Sequence, residues 1–254
     1  FAVGVVHGDQ VILEYHEPYK KRGQGALNIG TIIHGYRSIL ERLEAVQEEY
    51  NRGPFGNSGN CNIGVNCPEG ADWQIEKRSV ALIVSGGFAS CSGALVNNTA
   101  QDGTPYFLTA NHCLGGQNSW VFYFNHEAPE NNCDGNSGPT NQSISGSTLR
   151  ASNSASDFAL LELSQNVPDN FNPQFVGWDN SDDETVTSAV GIHHPSGDLK
   201  KICFEDDAPF HNNTAGAAVW FINQWEDGVT EGGSSGSPLF DQNHRIIGQL
   251  YGGA

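Results

Sequence analysis

Apolar positions along the chain fall into short runs broken by glycine, asparagine, aspartate and proline. From about residue 61 onward this spacing predicts a β-rich domain. The runs include Ser79-Val80-Ala81-Leu82-Ile83-Val84, Tyr106-Phe107-Leu108-Thr109-Ala110, Trp120-Val121-Phe122-Tyr123-Phe124 and Phe158-Ala159-Leu160-Leu161. Strands this short, joined by turns, build a sandwich or barrels, and the asparagine-rich stretch 130–147 is expected to be an exposed loop. The first 55 residues read differently. Val3-Gly4-Val5-Val6 and Gln10-Val11-Ile12-Leu13-Glu14-Tyr15 predict a hairpin turning at His7-Gly8-Asp9. Between Tyr36 and Tyr50, Ile39, Leu40, Leu43, Val46 and Tyr50 share one face of a helix that Gly53 and Pro54 end. Gly56-Asn57-Ser58-Gly59-Asn60 marks the boundary, so the expected organisation is an N-terminal extension or pro-region over 1–55 and a β domain over 56–254.

At 254 residues the chain can bury a substantial core. It carries 29 acidic against 12 basic residues, a net charge of −17, which repels phosphate backbones and argues against a nucleic-acid partner. No uninterrupted apolar run approaches the length of about 20 needed to span a bilayer, so no membrane partner is expected. The chain contains no methionine and begins at Phe1, so it reads as a processed or excised piece, and the lack of a signal peptide says nothing of export. Six cysteines without a C-x-x-C pair argue for disulfides and an oxidising compartment rather than zinc.

The candidate chemistry centres on Gly232-Gly233-Ser234-Ser235-Gly236-Ser237-Pro238. A serine framed by glycines at a sharp turn holds its hydroxyl out of the fold, with neighbouring backbone N–H groups converging on one spot. Two further segments give it partners. Leu108-Thr109-Ala110-Asn111-His112-Cys113 delivers a histidine at the end of an apolar run, and Ser156-Asp157-Phe158 places a lone aspartate at the head of another. His112, Asp157 and Ser235 stand in the chain order of the chymotrypsin-type triad. Gly232-Gly233-Ser234-Ser235-Gly236 also matches a nucleophile elbow with Ser234 as nucleophile. That arrangement needs the acid and histidine downstream, where only Asp241 and His244 remain, too close together to be carried on separate strands.

These segments, together with Cys91-Ser92-Gly93-Ala94-Leu95-Val96-Asn97 and Gly191-Ile192-His193-His194-Pro195-Ser196-Gly197-Asp198, resemble the bacterial lysyl endopeptidase family of secreted trypsin-like serine proteases. The resemblance runs from about Gly56 to the end of the chain. It implies an all-β, chymotrypsin-like double β-barrel, here with a small mixed α/β N-terminal extension, acting as a secreted monomer on protein or peptide substrates without metal or other cofactor. The implied catalytic residues are His112, Asp157 and Ser235, with an oxyanion hole from the N–H groups of Gly233 and Ser235 and a substrate-binding edge at Leu250, Tyr251 and Gly252. It also implies the disulfides Cys67–Cys133 and Cys91–Cys113. For Cys61 and Cys203 three readings stand: they pair, both are free, or the chain lacks its natural end, the last being favoured.

The sequence departs from trypsin-like patterns at informative places. Ser234 stands where zymogens of that type carry an aspartate that pairs with a new N-terminus, so activation is not expected to need such a salt bridge. Val229 occupies the position of trypsin's pocket acid, so a lysine preference needs another carboxylate; the resemblance implies that it lies downstream of Leu250-Tyr251-Gly252-Gly253, with Glu231 as a local candidate. Tyr251 stands where the family can carry a histidine. His193, His194 and Asp198 offer metal-ligating side chains, but Pro195-Ser196-Gly197 makes this stretch a tight turn, and no metal is expected there. The competing class of function is a non-catalytic binding or adhesion module, or an inactive truncated form, separable by whether the triad assembles.

Overall fold

The computed structural model describes residues 10–30, 32, 57–181, 185–214 and 217–253. The fold is all-β and chymotrypsin-like, built from two antiparallel sheets and a hairpin. The strands are β1 (Ile63–Gly64), β2 (Val80–Ser85), β3 (Phe88–Val96), β4 (Tyr106–Ala110), β5 (Val121–Phe124), β6 (Ser143–Ser145), β7 (Ser147–Asn153), β8 (Phe158–Leu163), β9 (Ala189–His193), β10 (Lys201–Glu205), β11 (Phe210–Thr214), β12 (Ala217–Phe221), β13 (Pro238–Asp241) and β14 (Ile246–Gln249). The first sheet has the order β6-β5-β2-β3-β4-β8-β7, the second β1-β10-β9-β13-β14, and β11 pairs with β12 alone.

Alternation along the strands divides the apolar side chains between two cores. Ala81, Ile83, Leu95, Phe107, Trp120, Phe122, Phe124 and Leu161 fill the concave side of the first sheet. Their neighbours Val80, Ala94 and Val96 point the other way and meet Val190, Ile192, Ile202, Phe240 and Ile246 of the second sheet. A strand buried on both faces must be apolar at consecutive positions, which is why Val80 to Val84 reads as an unbroken run. Bulges at Ile83/Val84 and Leu149/Ala151 bend the larger sheet.

Burial is not confined to apolar groups. The ammonium of Lys200 is wholly enclosed and donates to Lys77 O (2.8 Å) and Glu127 Oε2 (3.2 Å), while Lys77 Nζ lies 2.7 Å from Glu127 Oε1. Burial opposes the charge of Glu127, but the ammonium groups of Lys200 and Lys77 prevail and hold its carboxyl below the usual glutamate value.

The N-terminal region departs from expectation. Residues 10–15 form no strand; Val11, Ile12 and Leu13 are exposed, and among the described residues nothing offers them a ladder. With no facing element among the described residues, this apolar run buries little and gains no inter-strand hydrogen bonds there. The only regular element among the described residues of 10–30 is one 3₁₀ turn, Tyr19–Lys21. The other half of the expected hairpin and the helix over 36–50 lie outside the described residues. Among the described residues no helix is long and apolar enough to cross a membrane.

The disulfides Cys67–Cys133 and Cys91–Cys113 are both formed. Cys61 and Cys203 are free, the first exposed and the second buried on β10, so they do not pair with each other. Burial among apolar neighbours pushes the Cys203 thiol far above its ordinary value, which makes it inert as a nucleophile.

Candidate active site

Strand register brings the first two candidate residues together. β4 and β8 pair antiparallel with Ala110 opposite Phe158, so the next residue after β4 falls opposite the residue before β8. Asn111 N–H accordingly donates to Asp157 O at 2.6 Å, and the 3₁₀ turn Asn111–Cys113 presents His112 to the Asp157 side chain. His112 Nδ1 lies 2.6 Å from Asp157 Oδ2, and the main-chain N–H of His112 donates to Asp157 Oδ1 at 2.8 Å. Both carboxylate oxygens are therefore committed to one histidine. The Asp157 side chain is 3% exposed and that of His112 43%, so the acid is enclosed while the imidazole reaches solvent. Asp157 sits at φ 52°, a left-handed conformation that aspartate and asparagine tolerate better than most residues. Gln249 Nε2 donates to Asp157 O at 2.9 Å and so fixes the same turn from the second sheet.

Ser235 arrives from the other lobe. Its loop extends the β13–β14 ladder: Gly236 N–H donates to Leu250 O (2.9 Å), and Leu250 N–H to Ser237 O (2.8 Å). Ser92 N–H on β3 donates to Ser235 O at 2.8 Å, and the sulfur of Cys113, next to His112, lies 3.9 Å from that oxygen. The Cys91–Cys113 bridge thus ties the histidine turn to the strand on which the serine loop rests. Gly236, at φ 80°, admits no side chain: a Cβ there would stand 2.3 Å from Thr109 Oγ1 and 2.6 Å from Ala110 N.

Peptide geometry sets the direction of the two candidate oxyanion donors. In a trans peptide the C=O and the following N–H point oppositely. Gly232 O accepts the Ser196 N–H at 2.5 Å and Ser234 O accepts the Ser237 N–H at 3.0 Å, which turns the N–H groups of Gly233 and Ser235 away from those partners. Among the described residues neither N–H has a protein acceptor. The left-handed φ of 93° at Gly233 makes this arrangement available, and a Cβ there would meet Gly197 N at 2.9 Å.

Ser92, which carries no sequence signal of a site residue, is the junction. Its O accepts from Thr109 Oγ1 (2.8 Å), its Oγ donates to Gly233 O (2.9 Å) and accepts from His194 N–H (3.0 Å), and its N–H holds Ser235 O. Its place in Cys91-Ser92-Gly93 was legible, but a serine's four hydrogen bonds across two lobes leave no local signal.

The remaining candidates are distributed as follows. His193 and His194 diverge: His193 Nδ1 meets Ser234 Oγ at 2.8 Å, while His194 Nδ1 meets Asp198 O at 2.8 Å. Complete burial, reinforced by the charge of Lys201, depresses His193 to about 3, and burial with the charges of Lys200 and His126 depresses His194 as well, so both rings are neutral. The Asp198 side chain accepts from Ser58 N–H and Oγ at 2.9 and 2.7 Å. Both oxygens of Glu231 are engaged by the chain's own groups, Oε1 by Gly59 N–H and Asn62 Nδ2 and Oε2 by Ser196 Oγ. On the expected substrate edge, the N–H and C=O of Leu250 are hydrogen-bonded to the serine loop. Among the described residues the main chain of Tyr251, whose ring stands edge-on to His112 at 6.4 Å, and of the exposed Gly252 has no hydrogen-bond partner. Groups with metal-ligand proximity among the described residues are Cys91–His112–Cys113 and Cys67–Cys133–Asp134, whose sulfurs are consumed in disulfides, and the carboxylates Glu205, Asp207 and Glu226.

A two-sheet chymotrypsin-like fold with a histidine held on a buried aspartate, beside a glycine-framed serine loop, defines the class of trypsin-like serine hydrolases. Residues 55–254 match the family described as "Lysyl endopeptidase, C-terminal domain", and the chain belongs to that family. A lysyl endopeptidase of Pseudomonas aeruginosa is 28% identical over 223 residues, 80% of this chain and 47% of that protein, so the chain spans about half the length of that relative. Among solved structures, the active form of the Rv3671c protease from M. tuberculosis aligns at 16% identity and a TM-score of 0.45, covering 82% of this chain and 83% of the other. The MamO protease domain from Magnetospirillum magneticum aligns at 12% identity and a TM-score of 0.45, covering 70% and 85%.

Proposed function

We propose that residues 56–254 are a secreted serine endopeptidase unit that hydrolyses protein or peptide substrates through an acyl-enzyme, with lysine preferred on the acyl side of the cleaved bond. Residues 1–55 are then an extension or pro-region, and the working form is a monomer. The observation that carries this reading is the double contact of His112 with the buried Asp157, at 2.6 and 2.8 Å, beside the Ser235 loop. An aspartate on Nδ1 keeps that proton in place and leaves Nε2 with its lone pair, ready to act as base.

The chemistry runs in two halves. Ser235 Oγ attacks the peptide carbonyl carbon as His112 Nε2 takes the hydroxyl proton, and the carbonyl oxygen gathers negative charge between the N–H groups of Gly233 and Ser235. The C–N bond then breaks as His112 returns the proton to the leaving amine, giving an ester on Ser235. Water attacks that ester with His112 again as base, releasing the acid and restoring the serine. Asp157 stays ionised and stabilises the imidazolium. Losing one oxyanion donor in such a site costs about 100- to 1,000-fold in turnover. The lysine preference rests on the family and its named relative; Val229 carries no carboxylate, and that of Glu231 is hydrogen-bonded within the chain.

Labelling with a fluorophosphonate, with the adduct located by peptide mass spectrometry, tests the reading. An adduct on Ser235 that is lost in His112→Ala, and faster cleavage of lysyl than arginyl peptides, are expected. Folded protein that takes no adduct would instead be a non-catalytic module or an inactive truncated form.

A further inference from the structure

The direction of the Gly233 N–H depends on the Ser196 N–H that holds Gly232 O, and so on whatever fixes the turn at residues 195–197. That turn is itself strained at Ser196, whose φ is 52°, a conformation a non-glycine residue rarely adopts. Glu231 grips it: Oε2 accepts from Ser196 Oγ at 2.7 Å. The main chain of Glu231 grips the serine loop, its N–H donating to Ser234 Oγ at 3.2 Å and its O accepting from Ser234 N–H at 3.0 Å. The second carboxylate oxygen reaches outward to the start of the β domain, accepting from Gly59 N–H at 2.9 Å and Asn62 Nδ2 at 2.6 Å. The same stretch is pinned a second time where Ser58 donates twice to Asp198, the residue that closes the 195–197 turn. One carboxylate therefore joins three pieces of chain that are far apart in sequence, two of which form the walls of the candidate oxyanion hole.

We propose that Glu231 is a positioning residue for the oxyanion loop and that residues 58–62 are the strut that seats it. Resting on the serine-peptidase reading, this assigns to the first residues of the β domain the task of ordering the site. A bound carboxylate with both oxygens satisfied by charge-assisted bonds is stiffer than a serine turn alone. Its side chain acts through Ser196 and touches no substrate atom.

The test uses the full chain and the variants Glu231→Gln, Asn62→Ala and Ser58→Ala, with two readouts. The first is the rate at which a small uncharged fluorophosphonate acylates Ser235. The second is hydrogen exchange across residues 193–198 and 231–238, which needs no activity. Glu231→Gln should slow acylation about 10- to 100-fold, the scale of one charge-assisted hydrogen bond. It should also speed exchange in both segments. Asn62→Ala and Ser58→Ala should act in the same direction, and Asn62→Ala should add little once Glu231→Gln is present, because both remove one contact. Wild-type rates and exchange in Glu231→Gln and Asn62→Ala overturn the proposal and leave the peptidase reading standing. A change confined to the KM of lysyl peptides, with the uncharged probe unaffected, also overturns it and makes Glu231 a specificity residue. Wild type that takes no probe removes the peptidase reading, and exchange then decides alone: unchanged in Glu231→Gln, it overturns the positioning role; faster, it supports it. If Glu231→Gln does not fold, the two strut variants carry the test.

Discussion

Replacing Asp157 by asparagine should lower peptide turnover by about 10⁴-fold while leaving the fold in place, the scale found when the acid of a Ser-His-Asp site is made neutral. Asparagine suits the site sterically, since it matches aspartate in size and tolerates the φ of 52°. The main-chain bonds of Asp157 to Asn111 and Gln249 involve its carbonyl and are untouched. The carboxylate accepts two N–H groups, whereas the amide has one acceptor and one donor end. The main-chain N–H of His112 cannot change its role, so the amide oxygen must stay on it; flipping the amide would leave opposed donors, at about 1–3 kcal/mol. The NH₂ end then faces Nδ1, which must become the acceptor, and the ring proton moves to Nε2. A ring protonated there cannot take a proton from Ser235. Four decades correspond to about 5.5 kcal/mol of lost transition-state stabilisation. Folding stability should fall by only about 1–3 kcal/mol for the lost charge-assisted bond. Steady-state hydrolysis of a lysyl peptide, beside urea unfolding of both proteins, gives the two numbers. Turnover within tenfold of wild type in folded Asp157→Asn would refute the assignment of His112 and Asp157.

Three other outcomes follow from particular contacts. Gly236→Ala should be destabilised by about 1–3 kcal/mol, from the left-handed φ and a Cβ driven onto backbone at Ala110, and should lose Ser235 labelling before it loses its fold; thermal melting and probe labelling compare the two. Glu127→Ala should cost about 3–5 kcal/mol in urea unfolding, because it leaves the enclosed Lys200 ammonium and Lys77 without their counter-charge. Stability should be full above about pH 6.5 and fall as the pH drops toward about 3. His193 and His194 are kept neutral in the fold by burial, reinforced by the charges of Lys201 and Lys200, but take up protons once unfolded. His193 contributes about 1.4 kcal/mol per pH unit in that window and His194 acts in the same direction, which urea midpoints at stepped pH would measure, and a flat profile between pH 6.5 and 4 would contradict it.

What the sequence determined by itself was the parts. Short apolar runs and turn residues define a β domain, since burying one or both faces of a strand requires that pattern. The order His112, Asp157, Ser235 with its glycines was legible because a sharp loop at a nucleophile restricts residue type at each position. The same local signal failed at residues 10–15, where the apolar run Val11-Ile12-Leu13 stays exposed and forms no ladder among the described residues. It also gave no warning that Glu231 has both oxygens engaged, or that the main chain of Leu250 is hydrogen-bonded to the serine loop. Tertiary structure alone decided these, because each depends on atoms brought together from distant parts of the chain. The Ala110–Phe158 register sets His112 on Asp157, and Ser92 gathers hydrogen bonds from three other segments. Residue type restricts what a side chain can do, but its partners are chosen by strand register and the packing of the two sheets.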